Sequence, residues 1–246
     1  YSWMTKGVKM YKKLRGVKDL AKNLRIVFWF PLGGYHYTVY EDSGIKTLAD
    51  LKGKKAFIGP PSGGQLVTGT AFIRALTGLG PKDYKSVNLS FSSALQAFQD
   101  RQIDLLTVGC LDPCAALQQL TATSKLRFLG VNTQPELSAS PALKKFFGPL
   151  GRTEGVIKKG VYGENQVNEG DVWSNNAILG VTARAGLPEE TVYNMTKLFW
   201  TNLEGIRSSA PYMKAVTLEF AAQKANMKFH PGAEKFYKEV GVWQPQ

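Results

Sequence analysis

"SGIKTLADLKGKKAFIGPPSGGQLVTG", residues 43–69, carries a strand and the start of a helix in one run. Thr47 is placed to cap a helix of one or two turns, and Gly53 then breaks the chain. Ala56–Ile58 read as a short buried strand that stops at Gly59. Past the Pro-Pro-Ser-Gly-Gly turn, Leu66, Ile73 and Leu76 recur at helical spacing, with Thr70 between them, until "TGLGP" ends the helix.

The layout repeats downstream. "YKSVNLS" reads as a strand, Ser90 as a cap, and "SSALQAFQDRQ" as a helix with Leu95 and Phe98 inward. "IDLLTVG" is a strand leading into "CLDPCAALQQL", where Pro113 with Asp112 as its cap predicts a helix start. Two strands, Ala56–Ile58 and Ile103–Val108, thus open at their carboxyl ends into helix N-termini. In open α/β sheets that edge is where ligands bind. Strands alternating with helices predict an α/β protein with mainly parallel sheets and flanking helices.

The loop after the first strand lacks the G-x-x-x-x-G-K-[ST] of a phosphate loop, because Gln65 and Leu66 follow Gly64. The G-x-G-x-x-G dinucleotide pattern is absent too. What remains is backbone chemistry. Small Ser62, Gly63 and Gly64 let a ligand approach the N–H groups of the following helix, whose partial positive charge favours an anion such as a carboxylate. The competing reading is a glycine turn that only joins strand to helix.

The 246 residues suffice for one large core or for two lobes. Formal net charge is +12, and residues 1–25 hold eight basic side chains against one acid, Asp19. This is read as a solvated helix face, with an anionic partner as the alternative. Nucleic acid is not expected, since no aromatic stacking residues interleave the basic ones. The longest strongly apolar run, Ile26–Leu32, falls far short of the ~20 residues of a membrane span. No charged leader with an apolar segment opens the chain, so a signal peptide is expected to be cleaved or left out. Cys110 and Cys114 are too few for a disulfide framework. They are read as a reduced, packed pair, with a strained local disulfide as the second reading; one C-x3-C with distant His36 and His230 makes no zinc site.

"DSGIKTLADLKGKKAFIGPPSGG", then "ALQAFQDRQIDLLTVG" with Pro113, then "HPGAEKFYKEVG" near the end resemble the TAXI solute-binding proteins of TRAP transporters. The resemblance implies a two-lobed type II periplasmic-binding-protein fold. Lobe I would comprise residues 1–43 and 166–246, without its usual first strands, and lobe II residues 44–165. It further implies a periplasmic monomer that captures a small organic acid or amino acid in an interlobe cleft and delivers it to TRAP permease subunits. No cofactor or metal is implied. The family's ligand loop falls on Pro61, Ser62, Gly63, Gly64 and Gln65, and the second strand-to-helix junction adds Gly109, Cys110 and Asp112. An enzyme on the same fold and a ligand-sensing module are the alternatives.

Tyr35 and His36, on the first crossing between lobes, are candidate ligand contacts. On the return crossing Trp173, Ser174, Asn175 and Asn176 make a polar start to an otherwise apolar strand. Its amides are expected to meet either a ligand or backbone groups. His230 is read as structural, before a closing helix marked by Pro231, Gly241 and a Glu234–Lys238 pair. Leu187, Val192, Met195, Leu198 and Phe199 predict the inward face of the preceding helix. No Ser-His-acid set or paired carboxylates are legible, so catalysis is not expected.

Overall fold

The computed structural model describes residues 17–61, 63–132, 139–148, 152–209, 211–223 and 227–244. Ser62 and the basic residues up to Arg15 lie outside the described residues. The chain divides into two compact units, one of Tyr1–Pro31 with Ile178–Gln246 and one of Leu32–Ala177. The expected boundaries, after residues 43 and 165, fall inside the continuous unit. β1 (Leu24–Tyr40) spans the junction Pro31–Leu32 and β7 (Val172–Arg184) the junction Ala177–Ile178, and the second half of β1 pairs within the larger unit.

In the unit Leu32–Ala177, β2 (Lys55–Phe57) lies between β3 (Lys85–Ser86) and β4 (Leu105–Gly109), parallel to both. β1 then pairs antiparallel with β4, from Tyr35 opposite Gly109 to Thr38 opposite Leu106, and with β5 (Leu126–Leu129). β6 (Glu154–Ile157) is antiparallel to β7. The sheet is therefore mixed, and the expected parallel pairing holds only at β3-β2-β4. β1 reaches β4 without a preceding crossover helix, so nothing forces it parallel.

α1 (Val17–Lys22) precedes β1, and further helices cover both faces of the sheet. α2 (Gly64–Thr77) packs Phe72 and Ile73 on Tyr35, Tyr37 and Ile58. α3 (Phe91–Gln99) and α4 (Ala115–Thr121) pack Phe98 and Leu117 on Phe57, Leu106 and Phe128. The local signals act as their chemistry requires: Ser90 Oγ accepts from Ser93 N, and Asp50 Oδ2 accepts from Thr47 N at 2.8 Å. The Pro/Gly-rich, polar stretch of residues 132–170 contains α5 (Pro141–Phe147) and β6. α5 buries only Leu143 and Phe146, too few apolar positions to show a period.

In the other unit, Ile26–Phe30 of β1 are all buried. They pack with α6 (Glu189–Thr201), α7 (Leu203–Ser209), α8 (Leu218–Ala221) and α9 (Pro231–Glu239). His230 caps α9 by accepting the Gly232 N–H at Nδ1, and Glu234 pairs with Lys238 at 2.7 Å. The expected inward face of α6 is corrected. Met195 and Leu198 are 52% and 63% exposed and Leu187 is exposed as well, while Val192 and Thr196 are buried. Thr196 can take a core position because its hydroxyl donates to the Val192 carbonyl at 2.7 Å, which hides its polarity. No described helix is long and apolar enough to cross a membrane.

Glu41, just past β1, accepts two bonds from Arg127, at 2.8 and 2.9 Å, and one from Lys46 at 2.6 Å. Those cations hold its carboxyl down at about 2. Because the folded value lies below the unfolded one, the stabilisation is full above about pH 4.5 and is lost as pH falls toward 2. Solvent screens the partly exposed cluster, so Glu41→Gln is expected to lower stability by about 1–2 kcal/mol at pH 7. Urea unfolding of both proteins should show this gap closing as pH approaches 2.

Candidate functional site

The residues of β1 point alternately to the two faces of the sheet. Tyr35 and Tyr37 face α2, while His36 faces the opposite side. Gly33 lets the chain pass against the β4–α4 junction: a Cβ there would lie 1.9 Å from the Cys110 carbonyl oxygen. Tyr35 sits opposite Gly109, and burial pushes its phenol up to about 12 against a bond from Thr68 of α2.

On the α2 side, Gly59–Pro61 follow β2, and Gly63 is the N-cap of α2. Gln65 donates from Nε2 to the carbonyls of Ile58 (3.0 Å) and Thr107 (2.8 Å). Its amide nitrogen thus ties the first turn of α2 to β2 and β4. Pro61 and Gly64 are exposed, and a Cβ on Gly64 would meet nothing within 4 Å. Tyr37, opposite Thr107, donates its hydroxyl to Asn175 Oδ1 at 2.7 Å. Nδ2 of Asn175 and Oγ1 of Thr107 are buried and meet no hydrogen-bond partner among the described residues.

The polar start of β7 divides its work. Ser174 Oγ donates to the Tyr35 carbonyl at 2.8 Å, and Asn176 Oδ1 accepts from Gly33 N at 3.2 Å. These two side chains satisfy backbone groups, one of the two expected uses. Trp173 exchanges backbone bonds with Val131 and packs against the core beneath α2. Asn175 alone of the run carries a buried donor that the protein leaves open.

The opposite side holds a closed polar knot. His36 is fully buried; Nδ1 lies 3.0 Å from the Gly34 carbonyl, which only accepts, so Nδ1 carries a proton. Nε2 lies 2.6 Å from Asp112 Oδ1 and 2.8 Å from the Tyr162 hydroxyl, which also accepts from Cys114 N. Burial drives the Tyr162 phenol well above its usual range. The expected helix start at Pro113 is corrected: α4 begins at Ala115 with Cys114 as its N-cap. Asp112 is drawn away from a capping role by His36. The cysteines are not a reduced pair but a disulfide, Cys110–Cys114, with Cα atoms 5.8 Å apart, a spacing a four-residue turn readily reaches.

Two groupings therefore form around β1: Tyr35, Gln65, Gly109 and Asn175 toward α2, and His36, Cys110 and Asp112 on the far side. Tyr37, Thr107 and Tyr162 are central here and are not among the candidates read from the sequence, whereas Ser174 is. Tyr37 carries the one available signal, a second tyrosine two residues after Tyr35. Tyr162, in a polar stretch 126 residues from His36, carries none.

Similarity to solved structures spans the periplasmic binding proteins. The alkanesulfonate-binding protein SsuA from Xanthomonas axonopodis pv. citri, bound to MOPS, is 24% identical over 51% of this chain and 47% of its own, with a TM-score of 0.36. R. palustris Rpa4515 with adipate is 16% identical over 93% of this chain and 68% of its own, with a TM-score of 0.45. A TRAP periplasmic solute-binding protein from Desulfovibrio salexigens, with bound orotic acid, is 14% identical over 98% of this chain and 55% of its own, with a TM-score of 0.38. The chain thus spans about half the length of two of these three proteins. The NMT1-like family matches residues 4–241, nearly the whole sequence, and the protein belongs to that family.

Proposed function

We propose that this protein is a periplasmic solute receptor of the TAXI type, acting as a monomer that captures a small organic acid or amino acid for TRAP permease subunits. The observation that carries the reading is the pair of buried donors beside Tyr37, Nδ2 of Asn175 and Oγ1 of Thr107, left without partners where α2 begins. Buried polar groups are normally satisfied, and a ligand carboxylate supplies the acceptors they lack. Open space at Gly64 and the N-terminal turn of α2 add a second source of N–H groups for an anion. Neither grouping presents an exposed nucleophile with a base: His36 is buried and held on all sides, which suits binding and not turnover.

The test is a thermal-shift scan against dicarboxylates, amino acids, keto acids and sugars, repeated on Thr107→Val and Gly64→Val. An acid at a hundredfold excess over its Kd raises stability by about 2.7 kcal/mol. Thr107→Val removes an unpartnered hydroxyl at constant shape, so without ligand its midpoint is expected to equal or exceed the wild type. The ligand-induced shift should nevertheless fall, as it should in folded Gly64→Val. A flat scan on folded protein, or full shifts in both variants, would sink the proposal.

A further inference from the structure

A groove of about 790 Å³ runs along α2 and α5 within the unit Leu32–Ala177, and none of the residues assigned above to the solute site lines it. Its floor is apolar, with Leu66, Ala71 and Phe146 among the lining side chains, and its only charged lining residues are Arg74, Lys145 and Arg152. No acid lines it, and none of the three cations is in an ion pair among the described residues. Arg152 is fixed in place: Nη1 donates to the Phe146 carbonyl at 2.9 Å, and the guanidinium lies 4.6 Å from the centre of the Phe146 ring. Its remaining N–H groups make no hydrogen bond to the described residues. Arg74 lies against Gly80, where a Cβ would come within 2.6 Å of Nη2.

We infer that this groove is a second ligand site, separate from the proposed solute site, for an amphipathic monoanion: a carboxylate carried on an alkyl chain of medium length. The volume falls in the range of small-molecule sites, and such sites are apolar with a few fixed polar groups. Three cations with no anion among the described lining residues select the head group, and the apolar floor selects the tail. Burial also lowers the proton affinity of Arg152, a cost that a bound carboxylate removes.

The test is calorimetric titration of the intact protein with decanoate below its micellar concentration, with decanol and acetate as controls. Saturable binding of one decanoate per chain is expected, with acetate not binding and decanol weaker by about tenfold, the factor one charge-assisted contact supplies. The double variant Arg74→Met with Lys145→Met should weaken decanoate by about tenfold or more. Ala142→Trp, at an exposed lining position of α5, should abolish binding by filling the groove. Both should leave the response to the solute-site acid unchanged. No saturable binding, equal affinity for decanol, or full affinity in folded Ala142→Trp would each overturn the inference. So would an acidic amphipathic peptide that binds here when decanoate does not, which would make the groove a protein-docking surface.

Discussion

Gly232→Val is expected to lower stability by about 3 kcal/mol or more, the upper end of what overpacking costs. A Cβ at Gly232 would lie 2.2 Å from the Glu189 carbonyl oxygen, 2.5 Å from Tyr193 N and 3.1 Å from the Val192 carbonyl carbon. All three are backbone atoms of α6, so no side-chain rotation relieves the clash and α9 has to move away. That contact buries Val192, Ala233, Phe236 and Tyr237, and Tyr237 would lose its bond to the Val27 carbonyl. Trp29, Trp200 and Trp243 lie in this unit and Trp173 in the other, so tryptophan fluorescence during urea unfolding of proteins carrying Trp173→Phe reports this unit. Gly205→Ala in α7 is the control. It meets nothing within 4 Å and should gain about 0.5–1 kcal/mol from helix propensity. A midpoint for Gly232→Val within error of the wild type would show that α9 does not need this close approach.

Gly33→Ala is expected to cost a similar amount in the other unit and to remove ligand response as well. The backbone φ of Gly33 is +122°, which an L residue rarely adopts, and a Cβ would stand 1.9 Å from the Cys110 carbonyl oxygen and 2.4 Å from Leu111 N. Relief requires the β4–α4 junction to separate from β1, which disturbs the Asn176 bond to Gly33 N and the register of Tyr35 with Gly109. Its neighbour supplies the contrast. At Gly34 a Cβ would make only ordinary contacts at 3.7 Å, so Gly34→Ala should stay within about 1 kcal/mol of the wild type. Hydrogen exchange along Tyr35–Thr38 should rise sharply in Gly33→Ala and little in Gly34→Ala. Equal protection in the two variants would refute the close approach.

What could be read from residue order was local chemistry. The capping pair Thr47 and Asp50, the cap at Ser90 and the turn between β2 and α2 each depend on side chains within a few positions of one another. The bond between His36 and Asp112 joins residues 76 positions apart, and Tyr162 reaches the same nitrogen from still farther away. No spacing rule announces such a meeting, which is why Asp112 reads as a cap and the cysteines as a reduced pair. The inward face of α6 misleads for a different reason. Periodicity assigns Met195 and Leu198 to the core, whereas the buried position is Thr196, whose hydroxyl bonds its own helix and so behaves as an apolar group. The junctions between the compact units fall inside long strands, and strand signals mark where pairing begins, not which partners a seventeen-residue strand acquires along its length.

The larger unit is one continuous segment, Leu32–Ala177, while the smaller is made from both ends of the chain. On the ribosome, Ile26–Phe30 emerge before the segment Leu32–Ala177, and α6 and α9, which bury them, emerge after it. At about 5–20 residues per second, this run of isoleucine, valine, phenylalanine and tryptophan waits several seconds after Ala177 has been synthesised before α9 follows. That interval is an opening for a holding chaperone, and a translational pause placed after Ala177 would lengthen it.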